Sequence, residues 1–66
     1  MSPRKLNGVI QRLRKRRMMT QRDLAKRVGV TPGYIAQLEM TIRTPSLAVL
    51  KRLARALGVP VTELLE

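Results

Sequence analysis

Gln37 is the one strongly hydrogen-bonding side chain on the outer face of the segment "PGYIAQLE", residues 32–39. On a helical wheel Ile35 and Leu38 point to one side. Gly33, Ala36, Gln37 and Met40 fall opposite them, with Tyr34 on a flank and Glu39 close to the apolar edge. An amide both donates and accepts hydrogen bonds, so the chemistry on offer here is recognition and not bond breaking. A solvated helix face ordinarily carries Lys and Glu, whereas this one carries no negative charge. It has the composition of a contact surface.

The rest of the chain supplies no parts for a reaction centre. Cysteine and histidine are absent, and the only acids are Asp23, Glu39, Glu63 and Glu66. No catalytic dyad, Ser–His pair or thiolate–imidazole metal site can be assembled from that inventory. The expectation is a non-enzymatic protein with no metal and no cofactor. Charge points to the partner instead. Fourteen Lys and Arg against four acids give +10, and ten of the cations precede residue 28. Solubility needs a net charge of only about 2–8 in a small domain, so the excess suits a polyanion. No apolar run reaches the roughly 20 residues that span a bilayer. The opening "MSPRKLNGVI" lacks the apolar core of a secretion signal, so a cytoplasmic, nucleoid-associated protein without a membrane partner is expected.

The elements that would position Gln37 are short helices. With 66 residues the chain makes one domain, 1–66, that buries only about 60% of its unfolded surface and has no disulfide to reinforce it. Leu6, Val9, Ile10 and Leu13 repeat at helical spacing and predict a first helix over about 6–16. Thr20, with Asp23 three residues on, predicts a capped helix over 21–28 that ends at Gly29. Thr31 as cap and Pro32 at the first helical position open a third, 32–39. Ser46 opens a fourth, 47–57, whose stripe is Leu47, Leu50, Leu53, Ala54 and Leu57 and whose stop is Gly58. A last turn or two covers 61–65. No segment alternates with period two, so the fold class is all-α.

Two helices of about eight residues joined at "VGV" make either a plain αα corner or a helix-turn-helix. The motifs "TQRDLA", "VGVT", "YIAQLE", "TPSL" and "LARALGV", in this order and spacing, resemble the Cro and phage-repressor type of helix-turn-helix domain, the XRE family. The likeness runs from about Leu6 to Leu65. It implies a compact five-helix, lambda-repressor-like domain that sets its third helix in the DNA major groove. It further implies a small transcriptional regulator whose two copies read a palindromic operator, the docking for which this family is the standard example.

By that likeness Thr31, Pro32, Gly33, Tyr34 and Gln37 fall on recognition-helix positions. Gln37 is the best reader, since its amide can pair with adenine N6 and N7. Pro32 and Gly33 bring no hydrogen-bonding side chain and permit close approach of the backbone. For Tyr34, packing and DNA contact stand as equal alternatives. Gln21 matches a phosphate-binding glutamine that also positions the neighbouring helix, and Thr41, Arg43 and Thr44 lie in the loop that contacts phosphate. Arg22, with Arg16 and Arg17, is a weaker phosphate candidate. Arg14 and Glu39 match a structural salt bridge between the first and third helices. Relatives usually place a glycine after that glutamate, where this chain has Met40 and Thr41, so the loop must take another path or carry strain. Val59, Val61, Leu64 and Leu65 are expected both to close the core and to offer a homodimer contact. Two other functions stay open: an antitoxin that binds a toxin partner and its own promoter, and a non-specific binder of RNA or anionic surfaces. The single aromatic residue makes the last a poor stacking platform.

Overall fold

A computed structural model describes residues 3–40 and 44–65. Its elements are α1 (Pro3–Arg16), α2 (Gln21–Val28), α3 (Pro32–Glu39), α4 (Leu47–Leu57) and α5 (Thr62–Leu65), with no strand among the described residues. Helix α1 opens at Pro3 and not at Leu6. Proline is welcome in a first helical turn, where its missing N–H has no partner to lose. Helix α5 starts one residue later than the sequence pattern suggests, within the usual fraying of helix ends.

Local chemistry sets the helix limits. Thr20 Oγ1 accepts from Asp23 N at 3.0 Å while Asp23 Oδ2 accepts from Thr20 N at 2.9 Å, a closed capping box. Ser46 Oγ caps α4 by accepting from Val49 N at 3.2 Å. Helices α2 and α4 stop at Gly29 and Gly58, both left-handed, with φ of 87° and 71°. Helix α1 stops in the same way without a glycine. Met18 takes φ 59°, Met18 N bonds Lys15 O at 2.9 Å, and Met19 N bonds Arg14 O at 3.0 Å. That is the paired 5→2 and 6→1 closure of a Schellman motif, at a position where a Cβ is unfavourable. Its apolar residue after the turn, Met19, is buried, whereas the strained Met18 is 89% exposed.

Ile10, Leu24, Ile35, Leu38, Leu53 and Leu57 are the largest fully buried side chains. Each stabilises the fold by about 1.5–3 kcal/mol relative to exposure. Helix α2 packs on both α3 and α4, and α1 packs on α3 and α5, so α3 has its inner edge wedged between α1 and α2. Leu47, expected inside, is 57% exposed. It lies at the margin of the α4 stripe and in the first turn, which overhangs the core. Leu64 is only 3% exposed and belongs to the core, so its side chain is not available to a second chain. Val59 and Val61 are half-buried against the same core. The backbone of Leu65 ends α5, and its side chain lies outside the described residues.

Candidate nucleic-acid interface

Helix α3 begins with very little side chain. Thr31 Oγ1 accepts from Tyr34 N at 3.1 Å, which leaves the threonine hydroxyl hydrogen to donate elsewhere. Pro32 supplies the preset φ of a first helical residue, and Thr31, Pro32 and Gly33 are all exposed. Gly33 is not demanded by the fold: its φ is not positive, and a Cβ there would meet only Thr31 Oγ1, at 4.0 Å. The bareness of this helix start is a property of the outer surface and not of the packing behind it.

The other end of α3 is fixed by a buried polar network. Arg14 Nε donates to Glu39 Oε2 at 2.7 Å and Arg14 Nη2 to Glu39 Oε1 at 3.1 Å, a two-pronged pair across α1 and α3. Arg14 Nη1 donates to the Met19 carbonyl at 2.9 Å, and Gln21 Nε2 donates to Glu39 Oε1 at 3.0 Å. Arg14 is only 7% exposed. A charge so deep is tolerable because every prong of its guanidinium finds an acceptor. The network ties the end of α1, the following turn, the start of α2 and the end of α3 to one another. Three elements thereby set the angle at which α3 is presented. The Met19 carbonyl is the member that sequence reasoning missed. It is turned toward Arg14 by the left-handed turn at Met18, for which the sequence carries no glycine as a flag.

The remaining positions divide clearly. Tyr34, Ala36 and Gln37 are half-buried, and Tyr34 packs against the core. Arg22 and Thr44 are exposed, and Gln21 is half-buried beside Glu39. Thr41 and Arg43 lie outside the described residues. At the end of α3 Met40 has φ −99° and ψ 7°, an ordinary conformation, while the strain expected at Thr41 falls outside the described residues. Arg17 is not grouped with Arg22. Its guanidinium lies against Gly58, where a Cβ would collide with it, and there it faces the carbonyl end of α4. Asp23, held by the Thr20 backbone N–H and then by its hydroxyl, has its carboxyl lowered below the ordinary aspartate value.

Comparison with known proteins agrees with this geometry. Residues 10–64 match the family described as Helix-turn-helix. The chain is 48% identical over 53 residues to an HTH-type transcriptional regulator of Methanothermobacter thermautotrophicus, a match spanning 80% of this chain and 77% of that protein. It is 40% identical over 65 residues to the HTH-type transcriptional regulator y4dJ of Sinorhizobium fredii, spanning 97% of this chain and 84% of the relative. Among solved structures, the restriction-modification controller protein C.AhdI from Aeromonas hydrophila superposes with a TM-score of 0.90 at 29% identity, over 94% of each chain. With the two capped helices, the buried Arg14–Glu39 pair and the exposed start of α3, these matches identify the chain as a member of the XRE-type helix-turn-helix family of sequence-specific, DNA-binding transcriptional regulators.

Proposed function

We propose that the protein inserts α3 into the major groove of duplex DNA and occupies a palindromic operator as a homodimer. The single observation that supports this best is the contrast along α3: an exposed, uncharged start and an end locked by the Arg14–Glu39–Gln21 network. Gln37 is the base reader. Thr31 donates its free hydroxyl hydrogen to a phosphate, and Gly33 lets the backbone approach. Gln21 has a second amide hydrogen beyond the one bonded to Glu39, and it serves a phosphate at the start of α2, where the helix dipole adds attraction. Arg22, Thr41, Arg43 and Thr44 complete the backbone contacts. Val59, Val61 and Leu65 supply the dimer contact, without Leu64.

Pro32 and Gly33 offer no bidentate readout, so affinity comes mainly from phosphates and falls steeply with salt. Selection of bound sequences from a random duplex pool tests the whole reading. The expected outcome is a two-fold symmetric site with half-sites about one helical turn apart. Gln37→Ala in the same selection relaxes one position per half-site by about 1–3 kcal/mol. A pool that shows no enriched site, or a Gln37→Ala profile identical to the parent's, would sink it. No observation favours a toxin partner over an operator alone, and co-purification with a second small protein is the result that would bring that reading forward.

A further inference from the structure

A second charged surface lies away from α3. Between the last turn of α2 and the outer face of α4 runs an open groove of about 520 Å³, rimmed by Lys26, Arg27, Arg52 and Arg55 and floored in part by half-buried Ala56, with Val28 buried beneath. No acid lines it. Arg52 Nη1 reaches across to within 3.9 Å of where a Cβ on Gly29 would stand, and Lys51 extends the basic surface along α4. Cations at a helix C-terminus are ordinarily explained by the dipole. The carbonyl end of α2 provides only about half a negative charge, against four full positive ones. Asp23, one turn back on α2, acts on Lys26 and Arg27, and a net positive charge remains on the rim.

We propose that this groove docks an acidic protein segment that also carries apolar side chains. The cations match carboxylates, and half-buried Ala56, with the aliphatic stems of the lysine and arginines, matches apolar groups between them. A second duplex would satisfy the rim but leave the floor uncovered, because a DNA backbone presents phosphates outermost. The groove is also free when α3 is engaged. It sits beside Gly29, about 12 Å along α2 from Gln21 at 1.5 Å per residue, and α2 itself separates α3 from α4.

The test uses the full chain, free and saturated with unlabelled duplex, and fluorescence anisotropy of three labelled probes. These are a short Glu/Leu peptide, a Glu/Ser peptide of equal length and charge, and a second duplex. The Glu/Leu peptide should bind more tightly than the Glu/Ser peptide, with and without DNA. The double variant Arg52→Gln, Arg55→Gln should weaken it about tenfold. Arg12→Gln, Lys15→Gln, an equal loss of charge on the exposed face of α1, should weaken it by less than about threefold. Equal loss in the two double variants would reduce the groove to net charge and overturn the proposal. So would equal binding of the two peptides. Capture of the second duplex by the DNA-bound chain, abolished by the Arg52 and Arg55 changes, would also overturn it by making the groove a nucleic-acid site.

Discussion

Helices α2 and α3 have the same length, eight residues, and each starts behind a threonine whose hydroxyl caps it. In almost every other respect they are opposites. Helix α2 carries Arg22, Asp23, Lys26 and Arg27 on its exposed side, closes its cap with a carboxylate and stops at a left-handed glycine. Helix α3 has a single charge, Glu39, turned inward to Arg14, and stops at Met40 without a left-handed residue. The difference teaches a division of labour. Helix α2 is anchored by its own sequence, through caps and charges that act within the helix. Helix α3 is anchored by its neighbours, which leaves its exposed start, at Pro32 and Gly33, open to be shaped for contact.

The largest effect should come from cutting that external anchor. Arg14→Ala takes both guanidinium bonds from the buried Glu39 carboxylate and deprives the Met19 carbonyl of its donor. Loss of one partner of a buried pair costs about 3–5 kcal/mol, a large fraction of the stability of a domain this small. Chemical denaturation should register that loss, and the folded remainder should bind DNA more weakly because α3 is no longer held. A loss under about 1 kcal/mol would mean the pair behaves as an exposed one and α3 is positioned by packing alone.

Gly29→Ala probes the internal anchor of α2. The φ of 87° is unfavourable for any residue with a Cβ, and the nearest atom a Cβ would meet is at 3.9 Å, so strain and not collision is the cost. A destabilisation of roughly 1–2 kcal/mol is expected in thermal melts. An unchanged transition would show that the turn between the helices relaxes freely.

The caps differ in their response to acid. Asp23 is lowered below the ordinary aspartate value by its bonds to Thr20, so the folded state holds the ionised carboxylate more strongly than the unfolded chain does. Its contribution is fully present above the unfolded value, about 3.9, and is lost as pH falls through the lower folded value. Melts of Asp23→Asn should therefore show a shallower fall in stability through that acid window than the parent. At neutral pH, Thr20→Ala and Thr31→Ala should each cost about 1 kcal/mol. If Asp23→Asn and the parent lose stability in parallel, the carboxylate arm of the cap is not formed in solution.

How much of this was legible in the sequence follows from the same contrast. The α2 signals are local: Thr20, Asp23 and Gly29 each act within a few residues, and each can be read from its neighbours. The stripe of α4 was equally plain, except that Leu47 hangs past the end of the core, a boundary that only packing can draw. The turn after α1 was hidden because Met18 takes the left-handed conformation that a glycine would have advertised. Hence Met19 was not seen as core, nor its carbonyl as an Arg14 acceptor. The Arg14–Glu39 pairing spans 25 residues and came from family likeness; periodicity placed both only near the apolar edges. The groove beside α4 joins residues from two helices remote in sequence, and no run of charge marks it.

The smallest effect on stability, and the sharpest on function, should come from Gly33→Ala. The position is exposed, its backbone is compatible with any residue, and the added methyl meets nothing closer than 4.0 Å. Alanine is the better helix former, so the melting transition should stay or rise by a few tenths of a kcal/mol, less than the interior value of about 1 because the site lies in the first turn. If close approach of the α3 start to DNA contributes to binding, the same methyl should weaken operator affinity while the fold is unharmed. Stability and affinity then move in opposite directions, which no defect in packing would produce. Should affinity hold while stability rises, the bare start of α3 would be incidental, and readout would rest on Gln37 and the phosphates alone.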